Sequence, residues 1–139
     1  MQGIGGEMYS AKDVLLGVDR GTKYIGTAYR NASINMAMPI GYILNDAMVY
    51  YSLNDIIKKY KVSVIVIGYP QQHEEWQDRI DSFLEHVVAS APKLRIIKAD
   101  EEYSSVQASA TLGDFKKNPA NDTLAAMHIL EHFVIRYPL

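Results

Sequence analysis

Two short runs constrain this chain more than anything else in it. Val14 to Val18 (VLLGV) and Val62 to Ile67 (VSVIVI) are apolar almost without interruption. A strand with one face in water alternates apolar and polar residues, so near-continuous runs imply strands covered on both faces. Helical segments lie between and after them. Strands buried on both sides and joined by helices demand a parallel section covered by helices.

The rest of the chain fits around these two strands. The first run stops at Asp19, and Arg20-Gly21-Thr22-Lys23 is read as a polar turn. A second strand, Tyr24 to Tyr29, follows with Gly26 inside it. Ile34 to Leu44 reads as a third strand; Pro39 has no N–H for a ladder, which assigns this strand to a sheet edge. A helix opened by Asn45-Asp46 runs to about Tyr60, with Val49, Leu53, Ile56 and Ile57 on one stripe. After the strand at Val62 comes Gly68-Tyr69-Pro70. A helix from Trp76 to Ala89 then carries Trp76, Ile80, Phe83, Leu84, Val87 and Val88 at helical spacing. Leu94 to Ala99 is a fifth strand, followed by Asp100-Glu101-Glu102. A helix from about Ser104 to Leu112, a loop from Gly113 to Asn121 and a last helix from Asp122 to Tyr137 complete the chain. In the last helix Ala126, Ile129, Leu130 and Phe133 face inward. Right-handed crossovers place the Val62 strand beside the first strand and the fifth beyond it. The expected fold is α/β: a mixed five-stranded sheet, three antiparallel strands then two parallel ones, flanked by helices.

At 139 residues the chain fits one domain. Residues 1–12 read as a flexible N-terminal tail and 13–139 as the domain. The N-terminus lacks the basic region and apolar core of a signal peptide, and no apolar run approaches the ~20 residues needed to cross a bilayer. Without cysteine there are no disulfides or thiolate metal sites, and a cytoplasmic setting is expected. The net charge of −2 means that any nucleic-acid partner must be attracted by local cations and bound metal.

Sites in open sheets of this kind form outside the carboxyl ends of the parallel strands. Asp19 ends the first strand, Glu101 ends the fifth, and Asp122 opens the last helix. Each has a simpler reading. Asp19 could cap a turn, Asp100-Glu101-Glu102 could be an exposed acidic turn, and Asp122 could complement a helix N-terminus with Asn121 as its N-cap. Three carboxylates meeting at one sheet end favour the other reading, in which they hold Mg²⁺ or Mn²⁺. Two such ions can align a water and stabilise the leaving oxygen at a phosphodiester.

LGVDRGTKYIGTA, VIVIGYP, ADEEYSSVQA and NDTLAAMHIL, together with MAMPIGYI, resemble in order and spacing the motifs of the YqgF/RuvX proteins. These are RNase H-like, Holliday junction resolvase-like proteins described as pre-16S rRNA nucleases. The resemblance covers nearly everything from Val14 onward. It implies an RNase H-like fold and metal-dependent hydrolysis of phosphodiesters in structured nucleic acid, an rRNA precursor or branched DNA. No covalent enzyme intermediate is involved. By the same resemblance Asp19, Glu101 and Asp122 are the catalytic and metal-binding carboxylates. Arg20, Gly21, Thr22, Lys23, Arg79, Lys116 and Lys117 are the candidate nucleic-acid contacts, with Arg20 and Lys23 beside Asp19, and Gly21 and Gly26 letting substrate backbone approach. No membrane partner is implied, and the chain is expected to be a monomer or a weak homodimer paired through its edge strand.

The chain departs from the family pattern in four places. Glu102 stands where an arginine is usual. The loop from Gln71 to Glu75 is short and lacks a glycine. The basic loop before the last helix is reduced to Lys116-Lys117, and Pro119 occupies the position of a further aspartate in related resolvases. These departures support a second reading, a catalytically weak or inactive module that binds nucleic acid or protein. His128 and His132 are read as part of a solvated helix face. The ten tyrosines are assigned to strands and interfaces, with no cluster of the base-stacking type.

Overall fold

The computed structural model describes residues 9–31, 34, 36–100 and 119–138. Five strands, β1 (Leu15–Arg20), β2 (Tyr24–Arg30), β3 (Met38–Leu44), β4 (Val64–Tyr69) and β5 (Arg95–Asp100), form one sheet in the order β3-β2-β1-β4-β5. β3, β2 and β1 are antiparallel neighbours, while β4 and β5 continue from β1 in parallel. This is the mixed sheet expected from the two apolar runs. The described helices are α1 (Val49–Tyr60), α2 (Glu74–Ser90) and α3 (Pro119–Arg136).

Strand alternation divides the core into two layers. Leu16, Val18, Ile25, Ile65 and Ile67 face α1 and α2, where they meet Leu53, Ile57, Ile80, Phe83 and Val87. Leu15, Ala28, Val64 and Val66 face the other way, onto Ala126, Ile129, Leu130 and Phe133 of α3. β1 and β4 are therefore covered on both sides, which accounts for their unbroken apolar composition. β3 lies at the edge, as Pro39 requires. A register shift opposite Thr27 and Ala28 accommodates Pro39 and Gly41. Gly41 sits at φ +137°, and its carbonyl accepts a 3.0 Å bond from the Thr27 hydroxyl.

Several boundaries differ from the sequence-based expectation. β1 continues through Arg20, which pairs with Ile25, so the turn begins at Gly21. α1 starts at Val49 because Asn45 is engaged elsewhere: its N–H donates to the Lys23 carbonyl and its side-chain amide to the carbonyls of Gly21 and Thr22. α3 starts at Pro119, whose fixed φ suits a first helical position; Asn121 is thus inside the first turn and not its N-cap. Tyr9, counted into the expected tail, is buried against Phe133, and its hydroxyl donates to the Tyr137 carbonyl at 2.6 Å. Met1 to Met8, the expected helix Ser104–Leu112 and residues 113–118 of the expected loop lie outside the described residues.

Asp13 fastens the start of the parallel section. It accepts hydrogen bonds from the Ser10 N–H, the Ser63 hydroxyl and Arg95, joining the chain before β1 to β4 and β5. Burial pushes its carboxyl upward, but Arg95, Ser10 and Ser63 together outweigh that and hold it below the usual carboxylate range. A carboxylate with a lowered native pKa stabilises the fold fully above its unfolded pKa and loses that contribution as pH falls through the native one. Asp13→Ala should therefore cost about 1–3 kcal/mol at neutral pH. Thermal denaturation against pH checks this: the difference from wild type should shrink through the acid limb and disappear below the lowered pKa.

Gly17 and Gly26 set how closely α3 approaches the sheet. A Cβ on Gly17 would lie 2.6 Å from Leu130 Cγ and 2.7 Å from the Ala126 carbonyl oxygen. On Gly26 it would lie 1.9 Å from the Asp122 carbonyl oxygen. Neither helix carbonyl can swing aside without breaking helix geometry. Gly26→Ala should cost more than the ~1–3 kcal/mol typical of overpacking, and more than an Ala substitution at exposed Thr22. Chemical denaturation of the two variants makes the comparison.

Candidate nucleic-acid site at the carboxyl end of β1

Asp19 shares its sheet face with Leu15 and Gly17, and therefore lies on the α3 side. It is directly opposite Gly26 in the β1–β2 ladder, and Gly26 is the residue on which the Asp122 backbone rests. The Asp122 backbone thus lies beside the strand row of Asp19 because the strand residue there has no side chain. Both are nearly buried, each 8% exposed. Asp122 also lies in the first turn of α3, where the helix dipole favours negative charge.

A nearly buried carboxylate is costly to keep charged, and a hard divalent cation is a natural counter-charge for all-oxygen ligands. The donor set thus fits Mg²⁺ or Mn²⁺ in kind. Among the described residues no group of three or more His, Asp or Glu side chains is close enough to hold a metal. Glu101 follows the last residue of β5 and, with Glu102, Lys116 and Lys117, lies outside the described residues.

The expected basic contacts are distributed differently. Arg20 does not stand beside Asp19: because β1 continues through it, alternation turns it to the α1–α2 side. Its guanidinium lies 5.5 Å from the centre of the Phe83 ring. Burial holds its pKa below the ordinary arginine value, Tyr50 opposes this, and Arg79 adds to it. Arg79 is on α2, paired with Glu75 at 2.8 Å and stacked over Trp76. Gly21, Thr22 and Lys23 form the turn at the site end of the sheet, with the Gly21 N–H donating to the Tyr24 carbonyl at 2.9 Å. Thr22 and Lys23 are exposed. Gly26 does not open a path for substrate backbone, since α3 fills the space above it.

One further reading changes. His132 is exposed as expected, but His128 is half-buried with its Nε2 shut off from solvent. Glu131 on the same helix is engaged, bonding Arg30 at 3.1 Å and the Ala37 N–H at 2.6 Å. To the reading of the tyrosines as strand and interface residues the structure adds one pair near the turn: Tyr24 and Tyr42 meet edge to face, 5.1 Å between ring centres. Sequence reading missed this pair because the residues are eighteen apart, and only the β2–β3 register brings them together. No helix among the described residues is long and apolar enough to cross a membrane.

Known proteins resemble this chain in sequence and in fold. The chain is 38% identical over 130 residues to the "Putative pre-16S rRNA nuclease" of Sulfurihydrogenibium sp., covering 88% of this chain and 90% of that protein. It is 33% identical to the protein of the same name from Chlamydia muridarum, covering 88% and 92%. Among solved structures, the RuvC of T. thermophilus in complex with Holliday junction substrate matches with a TM-score of 0.55 at 13% identity, covering 91% of this chain and 96% of that one. The fowlpox virus resolvase with Holliday junction DNA matches at 0.57 and 11%, covering 91% and 99%. At these identities the likeness is one of fold, and the fold is RNase H-like. The family model described as "RuvX: Holliday junction resolvase" matches residues 13–136, from Asp13 at the entry to β1 through the last residue of α3, and the chain belongs to that family.

Proposed function

We propose that this protein is a divalent-metal-dependent nuclease that hydrolyses phosphodiester bonds of structured nucleic acid, acting in the cytoplasm on the 5′ end of pre-16S rRNA. The observation that supports the reading is that two nearly buried aspartates, Asp19 and Asp122, have their backbone positions on either side of Gly26 at the carboxyl end of β1. The names of the relatives and the membership of the RuvX family point the same way.

In this reading Asp19, Glu101 and Asp122 hold Mg²⁺ or Mn²⁺, which when bound activates water and stabilises charge on the departing oxygen. Asp19 is fixed by its strand and Asp122 by its helix, so neither has far to move as substrate enters. Lys23 and Thr22, exposed on the adjoining turn, contact phosphate; Lys116 and Lys117 supply further positive charge. Arg20, on the other sheet face, contributes to packing against Phe83. Glu102, placed where the family pattern of the resemblance has arginine, favours a second reading in which the module binds nucleic acid or protein and cuts slowly or not at all.

The two readings separate on Asp19→Asn. For a nuclease, structured RNA or branched DNA is cut in Mg²⁺ or Mn²⁺, and the variant loses activity by about a hundredfold or more. If wild type cuts neither substrate, or the variant cuts equally well, the binding module stands instead. Stability gives an independent check. Added Mn²⁺ should raise the melting temperature of wild type alone.

A further inference from the structure

Beyond the carboxylates, the same sheet face carries an exposed aromatic group. Gly26, opposite Asp19 on one side, is opposite Tyr42 of β3 on the other. Asp19, Gly26 and Tyr42 thus form one row across three strands, with Asp19 and Tyr42 two strand spacings apart, roughly 10 Å. One row nearer the sheet end, Tyr24 pairs with Leu44. Tyr24, Gly26 and Ala28 alternate onto the α3 face, so Tyr24, Tyr42 and Leu44 share the face of the carboxylates.

Edge strands usually carry charge or proline on such positions. Here Tyr42 is 49% exposed and Leu44 is exposed as well, which leaves aromatic and apolar surface in water at the sheet edge. The edge-to-face contact with Tyr24 fixes the Tyr42 ring, so a ligand stacked on it loses less to side-chain ordering. Lys23 sits between the tyrosines and the β1 end, its Nζ 5.5 Å from the centre of the Tyr24 ring. Fixed aromatic rings with an adjacent flexible cation match the chemistry of an unstacked nucleobase and its phosphate. A continuous duplex has no free base face to offer.

We propose that Tyr24 and Tyr42, with Lys23, form a base-stacking shelf beside the carboxylate site that selects nucleic acid carrying an unpaired nucleotide next to the bond to be cut. The proposal rests on nucleic acid being the substrate, and it names which kind.

The test compares a labelled RNA hairpin bearing a single-stranded extension with a blunt hairpin of the same stem, by fluorescence anisotropy in Ca²⁺, with a gel confirming that the probe stays intact. Wild type should prefer the extended hairpin. Tyr42→Ala should weaken that binding about five- to a hundredfold, the loss of one base–aromatic stack, and leave the blunt hairpin unchanged. Tyr42→Phe, which keeps the ring, should bind as wild type does. The proposal is overturned if wild type shows no preference. It is also overturned if Tyr42→Ala binds the extended hairpin normally, if it loses both hairpins equally, or if Tyr42→Phe fails as Ala does. Cleavage in Mn²⁺ separates the two readings. Selective binding lost in Tyr42→Ala with no cutting by wild type keeps the shelf and removes the nuclease. Cutting abolished by Asp19→Asn but untouched in extent and substrate preference by Tyr42→Ala does the reverse.

Discussion

The contact on which the structure depends is the approach of α3 to the sheet at Gly17 and Gly26. A helix packed on a sheet through ordinary side chains rides about 10 Å above it. Here two strand positions without side chains let helix backbone come into van der Waals contact with strand backbone. That contact closes one of the two core layers, with Ala126 and Leu130 seated over β1 and β4. The same contact delivers the start of the helix, with Asp122, to the strand row that holds Asp19. The glycine that admits the helix thus also decides which positions lie side by side, setting Asp122 next to the row of Asp19.

The sheet supplies the rest of the placement. Alternation in β1 sends Asp19 to the α3 face and Arg20 to the other, so neighbours in sequence are separated by the thickness of the sheet. This removes Arg20 from the immediate surroundings of the carboxylates and leaves Lys23, on the turn, as the described cation nearest to them in the chain. At the opposite end of β1, Asp13 ties β4 and β5 through Ser63 and Arg95. The parallel section is therefore held at its entry by polar bonds and along its length by apolar packing.

Much of this was legible in the residues. The unbroken apolar runs at Val14 and Val62 could belong only to strands covered on both faces, and with right-handed crossovers they lead to the observed strand order. Pro39 placed β3 at the edge for want of an N–H. Asp19 and Asp122 were visible as carboxylates at element ends. What the residues did not reveal depended on register or on the end of an element. Arg20 could be a turn residue or the last residue of a strand, and local composition does not decide between them. The start of α3 at Pro119 moved Asn121 from cap to helix. Gly26 was read as space for substrate, whereas α3 fills it. Tyr24 and Tyr42 are joined only by a ladder, which no single segment encodes.

The central claim is that Asp19 and Asp122 act on one divalent ion as a unit. Calorimetric titration of Mn²⁺ into wild type, Asp19→Asn, Asp122→Asn and the double variant tests it most directly. Residues that share a ligand are strongly non-additive. The account predicts that each single variant loses most of the affinity and that the double variant is little weaker than either. Independent losses that add up in the double variant, or unchanged Mn²⁺ affinity in the single variants, would contradict it.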